Sequence, residues 1–211
     1  MTETVSVERD GPEAARGALE QCVADGGVVV FPADGLYGLA CDPLDPAAIE
    51  RIHQIKGRDD GKPSAVMYFS PLAMRELVES FGPRARSAVG ALLPGPVTLV
   101  VANPERRYPL ACRGDPERLG VRLIDGPLAG AMCPVFQTSA NRSGEPASHR
   151  FEAVPHEVAS GADLVIDGGE LTGLPSTVVD LTRLDEEGGD WQILRKGALS
   201  PVDLEAALAG L

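Results

Sequence analysis

The sequence predicts an α/β protein in which helices pack against a mixed, twisted β-sheet. Short apolar runs bounded by Gly or Pro predict buried strands. They alternate with longer segments in which apolar residues recur every three or four positions, as in amphipathic helices. Near the C-terminus two strand-like runs flank the polar loop 183–190, which predicts a hairpin. Because a hairpin pairs its strands antiparallel, the sheet is expected to be mixed rather than purely parallel.

Capping residues define the predicted helices. An apolar stripe followed by Gly26 predicts a helix over 12–24. Asp45 before Pro46 is typical of a helix start, and Gly57 of a helix end, so a second helix should end at Lys56. Further helices are predicted over 70–81, 83–93, 127–132 and from 200 onward.

The strands follow from short apolar runs and from the turns between them. Strands are predicted over 28–31, 65–69, 97–102, 119–123, 135–138, 164–167, 176–182 and 191–195. The polar, Pro-containing segment 103–118 is predicted to be a mobile loop. If the last two strands pair symmetrically about their loop, the Thr177 hydroxyl lies beside the Arg195 guanidinium, although a bulge would shift this register.

Length and composition limit the class of protein. With 211 residues and 44% apolar side chains, the chain is long enough for one domain, expected to span 1–211, with a core that needs no disulfide. No apolar run approaches the ~18 residues that would span a bilayer, and the polar N-terminus does not resemble a targeting peptide. A cytoplasmic protein with no membrane attachment is therefore expected. Neither the four cysteines nor the three histidines have metal-ligand spacing, so no protein-held metal is expected.

The charges predict one local anion site in an acidic protein. A net charge of −12 argues against a protein that coats nucleic acid through a basic face. Yet Lys56, Arg58 and Lys62 cluster at the end of the second helix, and such a group is suited to phosphates. The alternative is a solvated helix end whose lysine complements the helix dipole.

Two further segments could bind a ligand. Residues 137–144, which include Ser139 and Asn141, follow a buried strand and offer hydroxyl, amide and backbone N–H groups. Residues 173–177 would meet Arg195 through the hairpin. The alternative for residues 137–144 is an ordinary turn. The alternative for residues 173–177 is a capped strand, with Arg195 as a surface arginine. The sequence has neither a Walker A loop nor a Gly-x-Gly-x-x-Gly motif, so any nucleotide must be held by side chains from scattered loops.

These segments together resemble the YrdC-like family, the threonylcarbamoyl-AMP synthases. The family is marked by Lys-x-Arg followed later by Ser-x-Asn, here Lys56, Arg58, Ser139 and Asn141. The collinear matching segments are residues 28–43, 51–63, 92–101, 119–123, 138–147, 175–181 and 193–198. The resemblance implies an open α/β fold with a large concave cleft. It also suggests the single-domain form of the family.

The resemblance implies a reaction of threonine, bicarbonate and ATP that gives threonylcarbamoyl-AMP and pyrophosphate, for modification of tRNA. Mg²⁺ is expected to enter with ATP, and partner proteins of tRNA modification are possible. Lys56 and Arg58 are expected to hold the carbamate and phosphates, and Arg122 the amino-acid carboxylate. The other family contact positions correspond to Gly35, Lys62, Ser139, Asn141, Ser148, Thr177 and Arg195.

The chain departs from the family pattern beside the expected amino-acid pocket. The family usually has Pro-Thr-Asp/Glu-Thr where this chain has Pro32, Ala33, Asp34 and Gly35, and Arg118 replaces a small hydroxyl residue. Gly35 is expected to leave a gap that relaxes threonine selectivity. Two alternatives to the synthase remain: a YrdC-like paralogue with a different acceptor, and a double-stranded RNA-binding module, which the negative charge disfavours.

Overall fold

The structure, a computed structural model, describes residues 2–57 and 63–211. The predictions made for Arg58 and Lys62 concern residues outside these ranges.

A single ten-stranded mixed sheet forms the centre of the described structure, in the order β1-β8-β2-β3-β7-β4-β6-β5-β9-β10. The sheet is open, because its first and last strands are not paired with each other, as expected from the sequence. Its strands are β1 (Glu3–Ser6), β2 (Val29–Pro32), β3 (Tyr37–Cys41), β4 (Ala65–Tyr68), β5 (Val97–Ala102), β6 (Arg118–Leu123), β7 (Val135–Ser139), β8 (Leu164–Asp167), β9 (Thr177–Asp180) and β10 (Gln192–Arg195). Parallel pairing joins β8 to both β1 and β2, β4 to β6 and β5 to β9, whereas the remaining neighbours are antiparallel.

The five longest helices of the described residues follow the predicted starts and stops, whereas three short helices were not predicted. They are α1 (Val7–Asp10), α2 (Pro12–Ala24), α3 (Pro46–Lys56), α4 (Pro71–Glu79), α5 (Pro83–Leu92), α6 (Pro109–Cys112), α7 (His156–Gly161) and α8 (Pro201–Ala207). The helix predicted over 127–132 is wrong, because this segment forms turns in which Gly126 and Gly130 have positive φ. In the part of the chain described, no helix is long and apolar enough to cross a bilayer.

The two faces of the sheet are covered to different extents. On one face, helices α3, α4, α5, α7 and α8 pack against the sheet and form a large core. Alternate strand residues such as Leu99, Val121 and Val179 belong to this core. On the opposite face a smaller core under α2 extends from β1 and β8 across to β7 and β4, and none of its described residues belongs to β5, β6, β9 or β10. Because side chains alternate along a strand, residues 98, 100, 118, 120 and 122 point to the part of this face that α2 does not reach. That uncovered part is a concave cleft.

The segment 103–118 is more structured than the mobile loop expected from its composition. It contains α6, and the buried Asn103 side chain holds it together. The Asn103 Nδ2 donates to the carbonyl oxygens of Arg107 (2.9 Å) and Pro116 (2.8 Å), and its Oδ1 accepts from the Arg107 N–H (3.0 Å). This segment forms one wall of the cleft.

The predicted hairpin is confirmed, but its register contains a bulge. Gln192 pairs with Asp180 and Ile193 with Val179, whereas Arg195 pairs with Val178 because the register shifts between Ile193 and Arg195. The prediction that Thr177 lies opposite Arg195 is therefore wrong by one residue. A β-bulge places one extra residue in a strand and therefore shifts the pairing by one residue.

We predict that the cap of α3 contributes measurably to stability. The Asp45 side chain accepts from the N–H groups of Ala47 (2.8 Å) and Ala48 (3.1 Å) at the start of the helix that ends at Lys56. Asp45→Ala should lower the free energy of unfolding by about 1 kcal/mol, measured by urea denaturation. Asp45→Asn is the matched control, because Asn caps a helix about as well as Asp. Equal losses in the two variants would contradict the capping role.

Candidate functional site

A cavity of about 540 Å³ occupies the uncovered part of the sheet. Strands β4, β5, β6, β7, β9 and β10 contribute to its lining, together with the turn before β3 and the segment that precedes β9. Its polar lining includes Thr98, Arg118, Arg122, Ser139, Ser176 and Arg195. Its apolar lining includes Val100, Leu174, Val178 and Leu194. A space of this size and mixed lining is typical of a small-molecule site.

Arg122 is the most deeply buried charge of the cavity. Only 7% of its side chain is exposed, and its nearest carboxylate, that of Asp34, lies 3.4 Å from Nη2. Nη1 lies 3.4 Å from the Ala33 carbonyl oxygen, and Nε has no hydrogen-bond partner among the described residues. Burial lowers the Arg122 pKa to about 10, although the charge of Asp34 opposes this effect. A buried guanidinium with two long contacts is suited to an anionic ligand.

A second arginine, Arg195, lies beside the start of β9. The Arg195 Nη2 donates to the Ser176 carbonyl oxygen (2.9 Å) and to its Oγ (3.1 Å), and the Ser176 hydroxyl shares a hydrogen bond with Thr98 (2.8 Å). Burial lowers the pKa of Arg195. The positive charge of Arg195 also lowers the Arg122 pKa, so the two cations share one cavity. Arg195 and Ser139 both line this cavity.

A third arginine is fixed to the floor of the cleft. The Arg118 Nη2 lies 2.5 Å from Oδ2 of Asp180, whose carboxylate also accepts from Thr182 and Gln192. Asp180 is buried, whereas Arg118 is partly exposed and lines the cavity. Asp115, on the 103–118 wall, supplies a carboxylate to the cavity lining itself. Arg118 is thus a fixed cation rather than a freely rotating side chain.

Lys56 organises the turn after β7. Its Nζ donates to the carbonyl oxygens of Ser139 (2.6 Å) and Asn141 (3.0 Å), and lies 3.2 Å from the Asn141 Oδ1. The Ser139 hydroxyl donates to the same Oδ1 (2.5 Å). The helix end, Ser139 and Asn141 are therefore brought together, as the motif spacing implies. Of the three, only Ser139 belongs to the lining of the cavity.

Besides Lys56 and Asn141, two further side chains predicted to contact a ligand lie outside the lining of the cavity. The Thr177 hydroxyl donates to the Leu199 carbonyl oxygen (2.7 Å) and accepts from the Leu199 N–H (3.0 Å), on the core side of β9. The Ser148 hydroxyl donates to the Ala153 carbonyl oxygen (2.7 Å). Strand alternation directs Ser176 and Val178, and not the Thr177 side chain, into the cleft, and the ligand contact of Thr177 stays a prediction. The hydroxyl of Ser148 serves the local turn.

Gly35 lines the cavity but does not leave the gap that the sequence suggested. A Cβ at this position would lie 2.0 Å from the Leu174 carbonyl oxygen and 2.8 Å from Thr172 Oγ1. Residues 168–176, here called the strap, cross directly over this glycine, and the Gly173 N–H donates to the Gly35 carbonyl oxygen (2.9 Å). A side chain at 35 would therefore meet the strap. Glycine is needed for this close backbone approach.

The buried Tyr37 holds the other end of the strap. Its hydroxyl donates to the Gly169 carbonyl oxygen (2.8 Å) and accepts from the Gly168 N–H (2.9 Å). The strap in turn supplies Leu174, Pro175 and Ser176 to the wall of the cavity.

Several functional residues were missed by sequence reasoning. Thr98 and Ser176 line the cleft, and Asp180 bonds Arg118 at its floor. Strand alternation could have indicated that residues 176, 178 and 180 share a face, but not which strand lies beside them. Asp34 is one member of the altered family segment 32–35. Its contact with Arg122 joins residues 88 positions apart, which no local pattern predicts.

Comparisons with known proteins agree with this geometry. A family model described as "Telomere recombination", for Sua5, YciO and YrdC, matches residues 21–197. A threonylcarbamoyl-AMP synthase of Nitrosococcus oceani is 34% identical over 166 residues, which cover 75% of this chain and 88% of that protein. The corresponding protein of Thiobacillus denitrificans is 33% identical over 175 residues, which cover 80% of this chain and 92% of the relative.

Two solved structures share the fold. Sua5 of Pyrococcus abyssi complexed with L-threonine superposes with a TM-score of 0.83 at 28% identity. That alignment covers 99% of this chain but 61% of Sua5, so the chain spans less than two thirds of the Pyrococcus protein. YciO of E. coli superposes with a TM-score of 0.76 at 24% identity, covering 94% of this chain and 96% of YciO, and shows the fold alone.

We predict that the carboxylate of Asp180 stabilises the cleft floor in a pH-dependent way. Burial raises its pKa, but the hydrogen bonds from Thr182 and the charge of Arg118 outweigh burial and leave that pKa lowered. Asp180→Asn should cost about 1–3 kcal/mol near neutral pH, because a charge-assisted hydrogen bond is lost. The contribution is complete above the unfolded pKa of about 4 and is lost as the pH falls through the lower folded pKa. Urea unfolding should show that the natural protein and Asp180→Asn differ less in their free energy of unfolding at about pH 3 than at about pH 7. The same difference at both pH values would contradict the prediction.

We also predict that adding a side chain at Gly35 harms the fold instead of restoring selectivity. Gly35→Ala should lower the free energy of unfolding by about 1–3 kcal/mol, because the strap must move to admit the Cβ. Gly90→Ala is the matched control, since its Cβ would meet no atom within 4 Å in α5. This control should be neutral or stabilising by up to ~1 kcal/mol. If thermal unfolding shows that Gly35→Ala is as stable as Gly90→Ala, the close contact between Gly35 and the strap is contradicted.

Proposed function

Because this chain belongs to the Sua5/YciO/YrdC family, we propose that it makes threonylcarbamoyl-AMP from threonine, bicarbonate and ATP, with release of pyrophosphate. Curated relatives of nearly the same length have the name of this activity, and the similar Pyrococcus structure is described as a complex with L-threonine. We expect the product to serve a tRNA-modifying enzyme in the cytoplasm.

The observation that best supports this proposal is the buried Arg122 in the wall of the cavity. Its guanidinium has two long contacts to residues 33 and 34 and a buried Nε without a partner in the described ranges. A guanidinium can bind a carboxylate through two parallel hydrogen bonds. The carboxylate of an amino acid therefore suits this position, and Arg195 and Arg118 remain for the phosphates of a nucleotide.

The chemistry proposed for this cavity needs no protein nucleophile. The neutral threonine amine attacks the carbon of CO₂ to give a carbamate and a proton, or the carbon of bicarbonate to give a carbamate and water. A carbamate oxygen then attacks the α-phosphorus of ATP, and the bond to the β-phosphate oxygen breaks to release pyrophosphate. The enzyme must bring anionic groups together, so its main contributions are positioning and cationic stabilisation.

The cations of the cavity have distinct proposed roles. Arg122 holds the amino-acid carboxylate, whereas Arg195 stabilises phosphate charge beside Ser176. Arg118 supplies further positive charge from the cleft floor, where Asp180 fixes it. The phosphate-binding roles of Lys56, Arg58 and Lys62 stay predictions. In the structure, Lys56 orders the Ser139–Asn141 turn.

Magnesium is proposed to enter as the counter-ion of ATP and not as a resident metal. Mg²⁺ usually keeps several waters and binds substrate phosphates with one or two carboxylates. Asp115 fits such a secondary contact, because its carboxylate is 59% exposed in the cavity wall. Asp180 fits less well, because Arg118 and Thr182 occupy its oxygens.

The structure weakens the case for a paralogue with a different acceptor. That hypothesis rested on the altered 32–35 segment, but a side chain at 35 would point to the strap. We therefore no longer expect Gly35 to relax threonine selectivity. Ala33 does line the cavity, so the choice of amino acid depends on that residue and on the surroundings of Arg122.

The test is product analysis after incubation with ATP, Mg²⁺, bicarbonate and a mixture of amino acids. Mass spectrometry should detect threonylcarbamoyl-AMP, with pyrophosphate release that depends on threonine. Arg122→Ala should raise the threonine KM about 10–150-fold, because a charge-assisted contact is lost. Arg75→Ala, on the exposed surface of α4, is the matched control. Pyrophosphate release that is indifferent to threonine would refute the proposed function.

A further inference from the structure

Arg122 has a neighbour with an unusual backbone conformation. Asp34 has a φ of 78°, a region that side-chain-bearing residues rarely adopt, although Asp is among the types that tolerate it. Such conformations persist where the surroundings enforce them, and they often occur at binding sites. Here the Ala33 N–H donates to the Leu36 carbonyl oxygen (3.0 Å), and the Gly35 carbonyl oxygen accepts from the strap. These hydrogen bonds hold the turn on both sides of Asp34.

Asp34 approaches Arg122 from outside the main cavity. Arg122 belongs to the lining of that cavity, whereas Asp34 borders a second hollow with Pro94, Gly95 and Asp125. Its carboxylate lies 3.4 Å from the Arg122 Nη2, and about one third of its side chain is exposed. The Arg122 side chain therefore lies between the Asp34 carboxylate, which borders the second hollow, and the open space of the main cavity.

The contacts of Arg122 within the described residues use only part of its donor capacity. A guanidinium has five N–H donors, and the long contacts to Ala33 and Asp34 involve one hydrogen on each of Nη1 and Nη2. Burial disfavours its charged form, whereas the negative charge of Asp34 favours it. Asp34 thus supports the charge of Arg122 without occupying all of its donors.

We propose that Asp34 is a positioning residue for Arg122, holding the guanidinium from the second hollow while its remaining N–H groups bind the substrate carboxylate. This inference rests on the proposed function, since the carboxylate is that of the amino acid. Asp34 does not line the main cavity and is not proposed to touch the nucleotide. Its loss should weaken amino-acid binding selectively.

Three variants separate positioning from a general structural role. Asp34→Gly removes the carboxylate and suits the positive φ, so the turn is expected to fold. Asp34→Asn keeps an oxygen acceptor and a residue type that tolerates this conformation, which guards against misfolding of the glycine variant. Asp125→Gly is the matched control, because it removes a carboxylate from the same hollow, where it bonds to the Gly126 N–H.

The kinetic experiment compares the threonine KM, the ATP KM and kcat. Asp34→Gly should raise the threonine KM about fivefold, as expected for the loss of one hydrogen-bond contribution, with the ATP KM and kcat within about twofold of the natural protein. Asp34→Asn should fall between Asp34→Gly and the natural protein, and Asp125→Gly should match the natural protein. An unchanged threonine KM in Asp34→Gly, or equal rises for threonine and ATP, would overturn the proposal.

A spectroscopic arm distinguishes failure of this inference from failure of the proposed function. The Nε–H resonance of Arg122, recorded with ¹⁵N-labelled arginine and assigned through Arg122→Lys, should be shifted or broadened in Asp34→Gly but not in Asp125→Gly. An unchanged resonance would overturn the positioning role, whatever the enzyme's substrate. If the natural protein shows no threonine-dependent turnover, the proposed function fails, and this resonance alone decides whether Asp34 positions Arg122.

Discussion

A buried guanidinium on an uncovered sheet face is the constraint around which the cleft is organised. Burying a charge is costly unless it is paired and hydrogen-bonded. Arg122 has a carboxylate only at 3.4 Å and a buried Nε without a partner in the described part of the chain. The protein tolerates this arrangement where the sheet has no covering helix, so that a ligand can reach the charge. Stability and binding thus make opposing demands on Arg122.

Close backbone contacts shape the space around that charge. The strap passes over Gly35. A second close backbone approach lies at the far end of the strap, where a Cβ at Gly197 would lie 2.3 Å from the Pro175 carbonyl oxygen. The Ala198 N–H donates to this same oxygen (2.8 Å). Tyr37 holds the start of the strap through its hydroxyl. The wall that presents Leu174 and Ser176 is consequently fixed at both ends.

Much of this architecture could be predicted from the sequence, because it depends on local rules. Asp45, Pro46 and Gly57 defined α3 correctly, and turn composition identified the final hairpin. The bulge near Arg195 could not be predicted from composition, and it is the reason that Ser176, and not Thr177, meets the guanidinium. The grouping of Lys56, Ser139 and Asn141 was predictable, because a family motif marks these residues. It was not predictable where a contact joins distant segments, as between Asp34 and Arg122 or between Gly35 and the strap.

The central claim is that Arg122 receives the carboxylate of an amino acid in this cavity. A crystal structure of the protein with bound L-threonine tests it most directly. The account predicts that the carboxylate oxygens lie within hydrogen-bond distance of the Arg122 guanidinium, with Asp34 retained behind it. Threonine bound with its carboxylate on Arg195 or Arg118, or outside the cavity, would contradict the account.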